Sequence, residues 1–210
     1  MADSLKVKEI SASIESKLSR YFGVSPEEAS NAQMYKAVIL TVRDALTSKR
    51  SVFRHTVKKE KKKRVYYLCM EFLIGKSLRN NLMNLGIDNE YREVLKSMGF
   101  DLDELYDIER DPGLGNGGLG RLACFMDSLT TLDYPATGFS LCYEYGLFRQ
   151  KIVDGSQVEM PDVWMPSGES WLVPRNDKTF TVRFGGRVSE RWENKHLNII
   201  HTDYEEVQAV

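Results

Sequence analysis

The apolar positions change period along this chain. Up to about Tyr134 they recur at helical spacing, and beyond it they form short runs separated by glycines. Val7, Ile10, Ile14 and Leu18 lie three and four residues apart, the stripe of an amphipathic helix. Ser25-Pro-Glu-Glu28 has the form of a capping box, with Ser25 as N-cap, Pro26 at the first helical position and Glu28 at the third. The helix it predicts runs through Met34, Val38, Val42 and Leu46. A basic run from Lys58 to Arg64 precedes Val65-Tyr-Tyr-Leu-Cys-Met-Glu-Phe72, apolar enough to predict a buried strand. Helical patterns follow at 77–85 and 90–98, and Leu102, Leu105 and Ile108 add a third.

Beyond Tyr134 the expected elements are strands, at 139–145, 147–153, 179–184, 187–192 and 197–201. The final residues, 205–210, read as one more strand. Gly185-Gly186, lying between two of these runs, predicts a hairpin.

Composition narrows the class without naming a function. The 210 residues are 42% hydrophobic and 28% charged, a globular balance. A net charge of −1 gives no overall pull toward nucleic acid or membrane. No apolar run is long enough to span a bilayer, and Met1-Ala-Asp-Ser-Leu-Lys6 lacks a signal core. Cys69, Cys124 and Cys142 have no metal or redox spacing, so they read as reduced thiols of a cytoplasmic protein. The lysine run carries no interleaved aromatics and reads as a solvated connection.

Candidate chemistry centres on Gly113-Leu-Gly-Asn-Gly-Gly-Leu-Gly-Arg-Leu122. It leads into Leu119, Leu122, Phe125, Met126, Leu129 and Leu132, one face of a helix. Glycines opening a helix leave N–H groups and a positive dipole end open to an anion. Asn116 is placed to cap that helix, exposing the N–H groups of Gly117, Gly118 and Leu119. Gly113, Gly115 and Gly118 also satisfy G-x-G-x-x-G. However, the acidic helical pattern upstream supplies no strand, which speaks against a dinucleotide fold. A Walker loop fails because Arg121 stands where Lys-Ser/Thr is required. A glycine turn needed only for close packing remains open.

Glu109-Arg-Asp-Pro-Gly-Leu-Gly-Asn-Gly-Gly-Leu-Gly-Arg-Leu-Ala123 closely resembles the signature of the glycogen (α-1,4-glucan) phosphorylase family. The resemblance extends to Val65-Tyr-Tyr-Leu-Cys-Met-Glu-Phe-Leu-Ile-Gly75 and Tyr143-Glu-Tyr-Gly-Leu-Phe-Arg-Gln-Lys-Ile-Val-Asp-Gly155. It includes Met160-Pro-Asp-Val-Trp164 and Val182-Arg-Phe-Gly-Gly-Arg-Val188 as well, in the family's order from about Thr41 onward. It implies an α/β fragment, the start of the N-terminal domain of a GT-B-type glycosyltransferase, with residues 1–210 as part of that domain. The domain bearing pyridoxal 5′-phosphate would lie outside this chain.

The implied reaction cleaves an α-1,4-glucan with inorganic phosphate and releases α-glucose 1-phosphate with retention. In the family, pyridoxal 5′-phosphate is held on a lysine and its phosphate serves the acid–base step. No lysine here sits in the corresponding motif, so the chain alone is expected to be inactive. A non-catalytic subunit-interaction module is the alternative, and the whole parent is expected to be a homodimer. By match, Gly117 and Gly118 direct N–H groups at the phosphates and Leu119 borders the glucosyl site. Asn116 and Arg121 fix the loop, with Asn116 also at the substrate site. Glu71 reads as a structural hydrogen-bonding carboxylate. Asp162, Trp164 and Trp171 read as a surface or subunit-contact region, with an aromatic sugar platform as the alternative.

Besides the missing lysine motif, two further departures stand out. Arg121-Leu-Ala-Cys-Phe-Met-Asp-Ser128 is one residue shorter than the family's common Arg-Leu-Ala-Ala-Cys-Phe form, which rotates the following helix by about 100° relative to the loop. Met165-Pro-Ser-Gly-Glu-Ser-Trp171 also differs from the common Leu-Arg-Tyr-Gly-Asn-Pro-Trp.

Overall fold

The structure, a computed structural model, describes residues 2–72, 74–112, 115, 123–146, 148–165 and 169–209. It is a mixed helix and strand structure in two compact units, residues 1–171 and 172–210.

The core of the first unit is helical. Helix α1 (Ala2–Phe22) ends at Gly23, whose N–H donates to the Ser19 carbonyl with φ +68, a left-handed turn that glycine adopts without a Cβ penalty. The Ser25 box then forms as read, its N–H donating to Glu28 at 3.0 Å, but it closes only a 3-10 turn, Pro26–Glu28. The long helix α2 (Asn31–Lys59) starts from a second box five residues later. Ser30 Oγ accepts from the Gln33 N–H, and the Ser30 N–H donates to Gln33 Oε1. Extended backbone at Ala29 (φ −73, ψ 135) separates the two.

Helices α3 (Ser77–Leu85), α4 (Asp88–Ser97) and α5 (Leu102–Ile108) complete this bundle, close to the sequence pattern. Helix α2 packs on α1, α3 and α5, and α4 packs on α1. The buried cluster includes Ile14, Leu18, Met34, Val38, Val42, Leu82, Leu95 and Leu105. Burying such side chains stabilises the fold by about 1.5–3 kcal/mol each. Polar ties lie at the margin, as where Arg92 bridges both Asp103 oxygens at 2.8 and 3.0 Å.

The expected buried strand over 65–72 is shorter and half open. Strand β1 (Val65–Leu68) pairs in parallel with β2 (Ala136–Phe139), Val65 opposite Ala136. Helices α3 to α5 and α6 (Ala123–Thr131) all fall in the crossover between them. Tyr66 and Leu68 are 58% and 75% exposed, since none of the described elements covers that face of the two-stranded sheet. The strand expected at 139–145 lies earlier in the chain. Residues 140–146 are irregular, and the Ser140 and Tyr143 hydroxyls both donate to the Met70 carbonyl at 3.0 Å. Of the stripe expected on α6, Met126 and Leu129 are half-buried while Phe125 and Leu132 are 58% and 67% exposed, and Leu119 and Leu122 lie outside the described residues.

Strands β3 (Arg149–Val153) and β4 (Ser156–Met160) form a hairpin turned by Asp154-Gly155, both at positive φ.

The second unit is a ribbon of four strands, β5 (Phe180–Phe184), β6 (Arg187–Glu193), β7 (His196–Thr202) and β8 (Glu205–Ala209). The Gly185-Gly186 hairpin is not formed: β5 pairs with β8, and β6 with β7. The chain reverses instead at Asn194-Lys195, both at positive φ. Phe184 opposes Glu205 and Arg187 opposes Thr202, so one register runs through both pairs. Gly185-Gly186 is the bend in this ribbon, and a Cβ on Gly186 would strike the Thr202 carbonyl. Val188, Trp192, Leu197 and Ile199 share one face, exposed by 40% or more.

Among the described residues, no helix is long and apolar enough to cross a membrane, and no group of three His, Cys, Asp or Glu could hold a metal ion.

Candidate functional site

The glycine segment hangs from a buried carboxylate. Glu109 follows α5 directly and is 2% exposed. Its Oε1 accepts from the Ser77 N–H and from the Trp171 indole N–H, and its Oε2 accepts from the Leu78 N–H, each at 2.8 Å. Ser77 and Leu78 open α3, where N–H groups have no intrahelical partner and the dipole favours an anion. Burial pushes the Glu109 carboxyl above its ordinary range; the donors from Leu78, Ser77 and Trp171 pull the other way and do not fully offset it.

The next anchors follow in order along the chain. Arg110 donates to the Val163 carbonyl at 2.8 Å and lies 3.6 Å from Asp162. Gly115 presses against the chain leaving β1, where an added Cβ would lie 2.5 Å from Glu71 Cβ and 2.8 Å from Phe72 N. With φ at +149, Gly115 also has a backbone that side-chain-bearing residues rarely adopt. The glycine is therefore required by its neighbours. Helix α6 begins on the far side at Ala123.

Of the residues read from sequence as site residues, Asn116, Gly117, Gly118, Leu119 and Arg121 lie outside the described residues. The structure does describe the mounts on either side of them. Glu71 lies at the Gly115 contact, and its backbone carbonyl accepts from Cys69 Sγ at 3.0 Å. Trp164 and Trp171 are not a surface platform. Trp164 is 1% exposed with its indole donating to the Tyr143 carbonyl, and Trp171 holds Glu109. Both indole N–H groups meet a fixed acceptor; Trp164 is buried and Trp171 half-buried.

Glu109 was not among the residues read as functional. A signal was present: it stands seven and four residues beyond Leu102 and Leu105, both buried, although it caps α5 in an extended conformation and is not part of the helix.

A cleft of about 670 Å³ lies between α3 and α6, lined by Phe72, Asn80, Asn84, Cys124, Asp127 and Thr130 among others. No lysine or arginine contributes to the described lining, and Asp127 does. A covalently held pyridoxal phosphate does not fit these residues, which offer neither an amine to hold its carbonyl carbon nor a cation to meet its phosphate.

The sequence profile of the family described as Carbohydrate phosphorylase matches residues 95–210. The chain is 45% identical over 207 residues to the glycogen phosphorylase of Haemophilus influenzae, covering 98% of this chain and 25% of that protein. It is 44% identical over 188 residues to that of Chlamydia pneumoniae, covering 89% and 23%. Against that of Bacillus subtilis it is 40% identical over 189 residues, covering 90% and 24%. The chain thus spans about a quarter of the length of these relatives.

Proposed function

Since this chain belongs to the carbohydrate phosphorylase family, we propose that it supplies the N-terminal part of an α-1,4-glucan phosphorylase of GT-B type. In this reading the whole protein transfers a terminal glucosyl unit from glycogen or maltodextrin to inorganic phosphate. It releases α-glucose 1-phosphate, acts in the cytoplasm and forms a homodimer. Residues 1–210 are then part of the N-terminal domain, and pyridoxal 5′-phosphate is carried elsewhere in the protein.

The observation carrying this proposal is the mounting of the glycine segment. Glu109 fixes its start to the N-terminus of α3, Gly115 fixes it to the chain leaving β1, and α6 begins where it ends. Between those mounts, Gly117 and Gly118 offer N–H groups to phosphate oxygens without a side chain in the way. Leu119 borders the sugar, and Asn116 and Arg121 hold the turn. The chain's own task is to bind and orient phosphate and to keep its approach clear.

Two assays test the reading. The purified 210-residue chain, given glycogen and inorganic phosphate, is expected to release no glucose 1-phosphate, and product from it would overturn the expectation of inactivity. A chimera in which this chain replaces the matching quarter of the Haemophilus influenzae relative is expected to be active. Gly118→Val in that chimera should raise the KM for phosphate and lower turnover. A folded, cofactor-loaded chimera without activity would refute the proposal, whereas dimerisation without activity would favour the interaction-module alternative.

A further inference from the structure

The cleft of about 670 Å³ between α3 and α6 has a one-sided polar lining. Asn80 and Asn84 line it from α3, four residues apart and so on one side of that helix. Asp127, Thr130 and Thr131 line it from α6, again at spacings of three and four. Phe72, Ile74 and Met126 supply apolar wall.

The hydroxyl donors of this lining are committed, and its acceptors are not. Thr130 and Thr131 donate to the Met126 and Asp127 carbonyls at 2.8 and 2.9 Å, which leaves their oxygens to accept. Asn80 spends an amide hydrogen on the Ile74 carbonyl at 3.3 Å and keeps its side-chain oxygen. Among the described residues, the Asp127 carboxylate and the Asn84 amide have no hydrogen-bond or ion-pair partner, and no lysine or arginine lines the cleft. The cleft therefore presents one negative charge and a surplus of oxygen acceptors. Asp127 would repel a phosphate or a carboxylate. A neutral sugar would use the acceptors and leave the charge unmatched. An ammonium group brings a positive charge and three N–H donors, and so uses both. The apolar wall suits an alkyl chain carried on that nitrogen.

We propose that the cleft between α3 and α6 binds a small organic cation, a primary alkylammonium, with its nitrogen at Asp127 and its chain on the apolar wall. Asp127 supplies the countercharge, the threonine and asparagine oxygens take the remaining N–H groups, and Phe72, Ile74 and Met126 cover the alkyl body. The proposal uses none of the residues of the phosphate reading and stands apart from it.

The test is titration of the isotope-labelled 210-residue chain with butylammonium, read from backbone amide NMR shifts, alongside butanol, butyrate, methylammonium and maltose. Saturable shifts are expected at residues of α3 and α6, with affinity falling as salt is raised. Butanol and butyrate should produce none, and methylammonium and maltose should bind more weakly. Asp127→Asn should weaken butylammonium binding about threefold, as expected for an exposed charge, and Asp127→Glu should keep most of the affinity. Glu93→Gln, which removes an exposed carboxylate on α4 instead, should change nothing. Amide spectra unchanged away from the substituted residue show that the variants fold. Absence of saturable shifts in α3 and α6, equal binding of butanol or butyrate, affinity unchanged in folded Asp127→Asn, or an equal loss from Glu93→Gln would each overturn the proposal. Maltose binding as tightly as butylammonium would overturn the choice of a cation, and methylammonium binding as tightly would overturn the role of the apolar wall.

Discussion

Truncating Glu109 is expected to damage this fold more than any exposed substitution. In Glu109→Ala, the Ser77 and Leu78 N–H groups and the Trp171 indole lose one shared acceptor inside the protein. Each donor left unsatisfied costs about 1–3 kcal/mol, so the loss should reach about 3 kcal/mol or more. Glu109→Gln separates geometry from charge. Its amide oxygen can take the place of Oε1 and keep Ser77 and Trp171, while its NH₂ group faces the Leu78 N–H. One bond is lost and a buried charge removed, for a net cost of about 1 kcal/mol. Urea unfolding followed by circular dichroism gives both values, and Trp171 fluorescence reports whether the indole has been released.

The same pair of variants has a pH signature. Burial raises the Glu109 pKa in the folded state, so the folded protein binds this proton more tightly than the unfolded chain does. Its contribution is therefore most favourable at low pH and declines as pH rises from the ordinary glutamate value through the raised one. Glu109→Gln should abolish that slope. Equal stability of Glu109→Ala and the parent, or a slope that persists in Glu109→Gln, would refute the account of Glu109 as the anchor.

Two further perturbations probe the local geometry. Gly115→Ala places a methyl group inside contact distance of Glu71 and Phe72 on an unfavourable backbone, so it should cost about 2 kcal/mol and increase protease cleavage within 113–122. Ser30→Ala removes the cap that starts α2 and should cost about 1 kcal/mol, whereas Ser25→Ala, which serves only a 3-10 turn, should cost less. A larger loss from Ser25→Ala by chemical denaturation would reverse that assignment.

Local periodicity told most about the helices and least about the strands. The helices α3, α4 and α5 lie where apolar spacing puts them, because each buries one face on the same cluster. The start of α2 was mislocated because two capping boxes occur five residues apart, and Ser30-Asn-Ala-Gln33 is the one followed by a long buried stripe. In the second unit, Gly185-Gly186 predicts a reversal that falls instead at Asn194-Lys195. A strand's partner depends on residues far along the chain, and glycine marks a bend as readily as a turn. Strand β4 went unread although Asp154-Gly155 is a strong hairpin dipeptide. Of the site, the glycine segment was plain in sequence. Its attachment to Glu109, Trp171 and Glu71 was not, because those contacts join three stretches of chain.

Helix α6 contributes only Ala123 to the buried set, and the large buried cluster ends at Tyr106, before the signature begins. The contacts described for α6 are with the β1–β2 sheet, through Phe125 on Tyr67 and Met126 beside Gly138. The residue missing after Ala123, relative to the common family form, therefore turns α6 against that sheet and touches none of the side chains of the large buried cluster. Restoring it should re-aim α6 while leaving the helical bundle as it is.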